Sequence, residues 1–371
     1  MASLADLPTP QVVVDRSRLV NNIERVQQLA SAGEMRLRPH AKTHKSPFVA
    51  KMQIDRGAFG ICCAKVGEAE VFAAAGVTDI RLPYPVNPSN APRILALMDR
   101  AAISIIVDHL DVARGWSDDM QRANRTLDVL VKVDVGFHRC GIDPGAAALT
   151  FIKKIAGMRG LRLRGLLSHA GHGYHAASDV ELEAIAREEA ETLLRVQDEA
   201  ARAGIALDEI SVGATPTLRF SAKQRGITEL RPGNYVYFDR TQVALGAATL
   251  DDCALTVLAT VVSTPAPDRI IFDSGSKTLT NDQARGFAPV DGYGAVLSDE
   301  GRIDESLTIV RLSEEHATVR VNGTTRLRPG DRVRIVPNHS CVVSNMVDAV
   351  QLVDGDRVVD TIAVAARGKI A

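Results

Sequence analysis

The chain has no surplus of charge: 44 basic residues face 45 acidic ones, the formal net charge is −1, and no dense Lys/Arg run occurs. Without a basic patch there is no electrostatic footprint for nucleic acid or an anionic membrane surface, so both partner classes are set aside. Long apolar runs are missing too. Nowhere do about 18 apolar residues follow one another, and no membrane-spanning helix is expected. The opening segment MASLADLPTPQ lacks the charged and apolar regions of an export signal. Cysteines are few and unpatterned: Cys62, Cys63, Cys140, Cys253 and Cys341 form an odd set without CxxC spacing. A disulfide framework is therefore not expected, and reduced thiols in the cytoplasm are. Aromatic residues reach only 4%, against 46% hydrophobic and 24% charged, the composition of a soluble globular chain.

At roughly 100 to 200 residues per domain, 371 residues admit two domains or one large barrel with an appendix. Periodicity favours the second. From about residue 20 to 245, β-branched runs alternate with amphipathic Ala/Leu/Glu-rich stretches, the pattern of successive βα units. The runs are MRLRPH (35–40), FGICCA (59–64), DIRLPY (79–84), ISIIVD (103–108), DVLVKVDV (128–135), RLRGLLSH (162–169), DEISVG (208–213) and ITELRPG (227–233). Eight of them predict a closed (β/α)8 barrel of the TIM type. Between the sixth and seventh, a helix is expected from N-cap Ser178 to the stop at Gly204. Trp116 and Asp118-Asp119 read as a surface loop. Beyond residue 245 the helical period gives way to alternating runs between Gly, Asp and Pro turns, which predict a C-terminal antiparallel β domain over 246–371. PQVVVD (10–15), ahead of the first helix, is a candidate to pair with it.

In such a barrel, reactive groups belong at the carboxyl ends of the strands. This filter returns PHAKTHK (39–45) after the first strand, FHRC (137–140) after the fifth, SHAGHGYH (168–175) after the sixth, GAT (213–215) after the seventh and GNY (233–235) after the eighth. Seven of the nine histidines lie in these loops or in the late segment PNHSC (337–341). The last two loops are small, polar and Gly-rich, so their amides and the Thr215 hydroxyl can surround a phosphate; read singly, each is also an ordinary turn. Lys42 stands among His40, His44 and Lys45, a cationic crowding that suits an imine-forming lysine but also describes a solvated basic turn. A lysine, a phosphate cup and a histidine-rich wall together describe a pyridoxal phosphate site. In PNHSC, residues two apart on an extended segment point the same way, so His339 and Cys341 can converge on one metal ion. The alternative is a buried Cys beside an incidental His, and a further ligand is expected from the histidine-rich loop, water or substrate.

The motifs RPHAKTHKS, VDVGFHRCG, RPGNYVYFD and PNHSCVV, with similarity from LPTPQVVVD to VAARG, resemble the metal-activated branch of the alanine racemase-type pyridoxal phosphate enzymes. That branch contains D-threonine aldolases, D-serine dehydratases and D-threo-3-hydroxyaspartate dehydratases. The resemblance implies that Lys42 bears the cofactor, His169 faces its ring, Arg139 lies near its phenolic oxygen and Arg231 near its ring nitrogen. It implies that Gly213, Thr215, Gly233, Asn234 and Tyr235 hold the phosphate. His339 and Cys341 would hold a divalent cation: manganese in first place, with zinc, cobalt or magnesium as alternatives. His-x-Cys is the pair of D-serine dehydratases, whereas several aldolases have His-x-Asp; the segment KTLTND (277–282) and the overall pattern resemble the aldolases. The expected activity is retro-aldol cleavage of a D-β-hydroxy-α-amino acid to glycine and an aldehyde, with His175 or a metal-polarised water as base. Dehydration to a 2-keto acid and ammonia is the alternative. An amino-acid racemase, a cofactor carrier and a metal hydrolase without pyridoxal phosphate are remoter ones. Relatives of this architecture pair as homodimers, and the same is expected here.

Overall fold

Asp15 ends one strand and caps the next helix, and there the chain passes from one sheet to the other. In the computed structural model, which describes residues 2–371, β1 (Gln11–Asp15) lies in the C-terminal sheet; the Asp15 carboxylate accepts from the Arg18 amide at 2.9 Å and starts the helix Arg16–Ala32. The next eight strands are β2 (Arg36–Leu37), β3 (Ile61–Cys62), β4 (Asp79–Pro85), β5 (Ala102–Val107), β6 (Leu127–Lys132), β7 (Leu161–Leu167), β8 (Glu209–Val212) and β9 (Glu229–Leu230). They are all parallel, and each overlaps one of the eight runs read from the sequence, β4 ending and β5, β6 and β7 beginning one residue outside it. From β3 onward each pairs with its successor, β9 returns to β2, and an isolated parallel bridge between His40 and Cys62 closes the seam between β2 and β3. β2 and β9 are short because Pro39 and Pro232 follow them closely and a proline brings no ladder N–H.

The barrel interior is partly ionic. Arg38 donates to Glu229 at 2.7 Å, Arg81 donates to Glu209 at 2.6 Å and also to Glu229, and Ser211 donates to Glu229 at 2.5 Å. All five side chains are buried.

The helix Asp179–Arg202 runs as the sequence predicts, with the Ser178 hydroxyl accepting from the Glu181 amide at 3.2 Å and Gly204 at φ 77° just past its end. Trp116 does not sit in a surface loop. It lies inside the helix Leu110–Arg122, fully buried, and its Nε1 donates to the Val86 carbonyl at 2.8 Å. Gly115 and the Asp pair suggest a loop, but Ala113, Trp116, Ser117 and Met120 form a buried stripe at helical spacing. Gly115 is there because Pro88 packs 2.7 Å from where its Cβ would be.

The second sheet holds β10 (Leu255–Ala266), β11 (Arg269–Phe272), β12 (Ala295–Leu297), β13 (Leu307–Leu312), β14 (Ala317–Val321), β15 (Arg332–Val336), β16 (Ala349–Asp354) and β17 (Arg357–Ala363). β1 is inserted between β10, antiparallel, and β16, parallel. Residues from the chain's beginning thus sit mid-sheet in the C-terminal domain. No helix among the described residues is long and apolar enough to cross a membrane.

Candidate active site

The carboxyl ends of the barrel strands and one edge of the β domain enclose a cavity of about 920 Å³. Ten of the expected site residues line it: Lys42, Arg139, His169, Gly213, Thr215, Arg231, Gly233, Asn234, His339 and Cys341. Lys42 lies on the single turn Ala41–Thr43 that follows β2, where His40 Nδ1 accepts its amide at 3.4 Å, and its side chain is exposed to the cavity.

The expected crowding of cations around Lys42 is not found. Lys45 is buried and paired with Glu68 at 3.1 Å. Burial holds the His44 imidazole down to about 4. Burial, with Lys42 and Arg231 adding to it, keeps His40 well below the usual imidazole range, so neither histidine is charged at neutral pH. Lys42 and Lys45 both line the cavity, but Lys45 is tied to Glu68 and Lys42 is the one exposed to it.

Two of the cavity's loops are built to approach a ligand by backbone. Gly213 has φ 144° and Gly233 has no room for a side chain, since a Cβ would stand 3.1 Å from His40 Cβ and from Thr43 Oγ1. Beside them, Thr215 Oγ1 and Asn234 Oδ1 are buried without a hydrogen-bond partner among the described residues. Buried polar atoms are nearly always satisfied, so these two mark where a polar ligand group belongs. Tyr235 behaves differently from its neighbours: its side chain turns into the core, where its hydroxyl accepts from Gln53 Nε2 at 2.9 Å. Of that residue only the backbone amide remains for a ligand, at the start of the turn Asn234–Val236.

His169 Nδ1 meets the Gly213 carbonyl at 2.8 Å, which makes Nδ1 the donor and leaves Nε2 as an acceptor. Burial first, then Lys42 and Lys132, hold this imidazole neutral. Phe137 stands edge-on to it at 5.6 Å, and the Arg139 guanidinium lies 4.9 Å above the Phe137 ring. Arg231 is fixed more rigidly, donating to Ser211 Oγ at 2.6 Å and to the Ser168 carbonyl.

His339 and Cys341 converge, although not on an extended segment. His339 is the extended cap of the helix Ser340–Asn345 and Cys341 lies in its first turn, where the two side chains hydrogen-bond to each other. Burial alone would lower the imidazole, but the Cys341 partnership, with Asp239 and Asp282, raises it to about 10. Burial alone would likewise push the thiol up, but the His339 hydrogen bond outweighs it and holds Cys341 below its ordinary value. His339 Nδ1 is bonded to Asp282 at 2.6 Å, the arrangement of a carboxylate that orients a metal-ligating imidazole. Among the described residues no third His, Cys, Asp or Glu joins the pair in a metal-holding cluster. Of the three sources expected for a further ligand, the histidine-rich loop supplies none among the described residues, and the two donors suit a site completed by the other two, water or substrate oxygens.

The structure does not bring His175 into the cavity wall. Its ring is exposed and Nε2 accepts from Arg285 at 3.2 Å, so the lone pair a base would use is already engaged. Sequence reasoning missed Asp239, Gln242 and Arg285. Asp239 joins the two halves of the site: it accepts from Asn234 Nδ2 at 2.5 Å, the Ser340 amide at 3.0 Å and the Gln242 amide at 3.1 Å. It is the last residue of RPGNYVYFD, as Asp282 is of KTLTND, and their positions within those motifs were the available signal.

Residues 14–241 match the family model "Alanine racemase, N-terminal domain" and residues 254–353 match "Putative serine dehydratase domain". The chain is 34% identical to D-threo-3-hydroxyaspartate dehydratase of Delftia sp. (strain HT23), over 97% of both proteins. It is also 34% identical to D-threonine aldolase of Arthrobacter sp, over 98% of this chain and 94% of that one. A solved variant of D-threo-3-hydroxyaspartate dehydratase in the metal-free form, 32% identical, superposes over 98% of this chain and 99% of that one with a TM-score of 0.92. The chain therefore belongs to the alanine racemase-like family of D-threonine aldolases, D-serine dehydratases and 3-hydroxyaspartate dehydratases.

Proposed function

We propose that this protein is a pyridoxal phosphate- and metal-dependent lyase that cleaves D-β-hydroxy-α-amino acids to glycine and an aldehyde. The observation that carries the reading is the sharing of one cavity by Lys42, the partnerless Thr215 and Asn234 oxygens, and the His339–Cys341 pair. Lys42 would bear the cofactor. Gly213, Thr215, Gly233, Asn234 and the Tyr235 amide would take its phosphate, with His169, Arg139 and Arg231 around the ring. His339 Nε2 and Cys341 Sγ would hold the cation. When bound, the cofactor supplies an electron sink for the bond broken at Cα, and the cation supplies Lewis-acid polarisation of the substrate hydroxyl.

The chain's own contribution is positioning and proton control. His169 stays neutral and, with Nδ1 tied to Gly213, presents an acceptor. Arg231 is held by Ser211 and the Ser168 carbonyl. Asp282 keeps the His339 ring oriented, and Asp239 ties the phosphate loop to the helix that carries Cys341. With His175 turned to Arg285, the hydroxyl proton would go to water beside His339 and Cys341 and not to His175. A thiolate ligand favours zinc or cobalt, while an oxygen-rich remainder of the sphere favours manganese; manganese is placed first.

Cleavage is preferred because the KTLTND segment, aldolase-like in pattern, is the one that touches His339 through Asp282. Dehydration is the second reading, favoured by the sulfur ligand and by the Delftia relative, equal in identity to the aldolase. There Lys42 would take the α-proton. Protein supplied with cofactor and Mn²⁺ should convert D-β-hydroxy-α-amino acids to glycine and the aldehyde. A 2-keto acid and ammonia would establish the dehydratase instead, and neither product would remove the lyase reading.

A further inference from the structure

Four residues that line the cavity carry a buried side-chain oxygen without a hydrogen-bond partner among the described residues: Thr215, Asn234, Gln242 and Asn345. The proposed phosphate cup takes the first two. Asn345 is only half-buried at the end of its helix, so solvent is within reach of its amide. Gln242 has no such outlet. The whole residue is 1% exposed, and a buried acceptor left unpaired is costly enough that it calls for a donor.

Gln242 stands on the short helix Arg240–Ala244, which Asp239 starts by accepting the Gln242 amide at 3.1 Å. That helix is stitched to the segment bearing the metal pair. The Arg240 amide donates to the Pro337 carbonyl at 3.0 Å, Thr241 Oγ1 to the Asn338 carbonyl at 2.8 Å, and the Ser340 amide to Asp239 at 3.0 Å. Asn234 Nδ2, bonded to the same carboxylate, lies 3.5 Å from Cys341 Sγ. The backbone under Gln242 is therefore fixed relative to His339 and Cys341. At its far end the Gln242 side chain hydrogen-bonds the Tyr174 phenol. Burial raises that phenol first of all, with Cys341 and Asp239 adding to it, whereas the Gln242 bond lowers it, as a donated bond does. The amide nitrogen thus serves Tyr174, and Oε1 is the end left over.

We propose that Gln242 is a positioning residue whose Oε1 accepts a hydrogen bond from the water beside His339 and Cys341, the water that receives the proton of the substrate's β-hydroxyl. The origin of that proton rests on the lyase reading. In the step, the β-hydroxyl O–H bond breaks, its electron pair stays on the β-oxygen, a new O–H bond forms on the water, and the extra proton leaves for bulk solvent. An acceptor that holds one hydrogen of the water aims its lone pair and makes it a better base, because hydrogen bonds in series polarise one another. A carboxylate in that place would compete with Cys341 for a cation. A neutral amide oxygen orients the water without doing so.

The test uses protein loaded with pyridoxal phosphate and Mn²⁺, as wild type, Gln242→Met, which keeps the length and removes the acceptor, and Gln242→Glu, which keeps an oxygen there. Crystal structures of the loaded forms and turnover of D-threonine and D-threo-3-hydroxyaspartate are the readouts. The wild type should show an ordered water within about 3.2 Å of Oε1 and beside the metal pair, and Gln242→Met should lack it. In Gln242→Met, kcat should fall by about ten- to a hundredfold while KM changes less than about threefold. The cofactor absorbance should persist and the melting temperature should not fall, since the unpaired amide is gone. Gln242→Glu should recover part of kcat. A protein donor on Oε1 in the loaded wild type, the Tyr174 hydroxyl above all, would overturn the assignment. So would an unchanged kcat in Gln242→Met, or a loss of cofactor, stability and kcat together that Gln242→Glu does not relieve. No turnover of either substrate by the loaded wild type would sink the lyase reading; a water held by Oε1 in that protein and lost in Gln242→Met would still support the contact, and its absence would overturn it.

Discussion

Cys341 shows how much a residue's chemistry depends on its partners. A half-buried thiol packed against Thr43 at 3.2 Å and Asn234 Nδ2 at 3.5 Å would ordinarily resist ionisation, yet His339 reverses the balance. A thiol held below its ordinary value ionises more readily, and the thiolate is the form that ligates metal. Cys341→Ala should therefore lower divalent-metal affinity by at least about tenfold, the scale of losing support around a ligand, while the melting temperature moves only slightly. Metal content after dialysis measures the first and calorimetry the second. Full metal retention in that variant would make the pair structural. The residue types and the spacing of His339 and Cys341 are legible in sequence; the reason they meet is not. An extended segment was the expectation, and a helix cap is the finding. The His175 expectation fails for a related reason: its lone pair is engaged by Arg285, 110 residues further on, and no local pattern carries that contact.

At the scale of elements, β-branched runs separated by amphipathic stretches were enough to place all eight barrel strands, because each pattern follows from local burial. What fills the barrel was not legible. Arg38, Arg81, Glu209 and Glu229 look like surface charges in their own strands and become partners only when β2, β4, β8 and β9 close into a cylinder. Burial would raise both carboxyls, but Arg81 and Arg38 hold Glu229 well below the usual carboxylate range, and Arg81 lowers Glu209. A carboxylate whose folded pKa is depressed adds stability that is fully present above its unfolded value of about 4.3 and is lost as pH falls through the folded value. The barrel should thus lose stability progressively below about pH 4.3. Glu229→Gln should flatten that part of the curve and cost about 3–5 kcal/mol at neutral pH, the scale of breaking a buried ion pair from one side. Denaturant unfolding at pH 3 to 7 checks it; an unchanged acid slope in the variant would show that the network is not the titrating element. Trp116 marks the same limit of local reading, since a Gly and two Asp nearby outweighed a buried stripe that only the neighbouring strand and Pro88 explain.

For the whole molecule, the sequence shows two pattern regimes, and the structure shows how they share one site. β1 threads the C-terminal sheet before the barrel begins. The helix Ser340–Asn345 docks on the Lys42 turn, with Ser344 Oγ bonded to the Thr43 carbonyl, so Lys42 and the His339–Cys341 pair stand on opposite sides of a seam between domains. Homodimer formation, proposed from the resemblance, should appear as a doubled mass by light scattering at micromolar concentration; a monomer with full activity would exclude it. The central claim is that Lys42 alone bears the cofactor while the metal pair acts from the other domain. A competitor exists within the barrel: Lys132 is buried, and burial with Arg231 brings its amine down to about 7. Borohydride reduction of protein loaded with pyridoxal phosphate, before and after chelation, followed by peptide mapping, decides between them. One label per chain on Lys42 in both samples, with turnover lost only after chelation, is the expected result. A label on Lys45 or Lys132, or one that disappears with the metal, would contradict it.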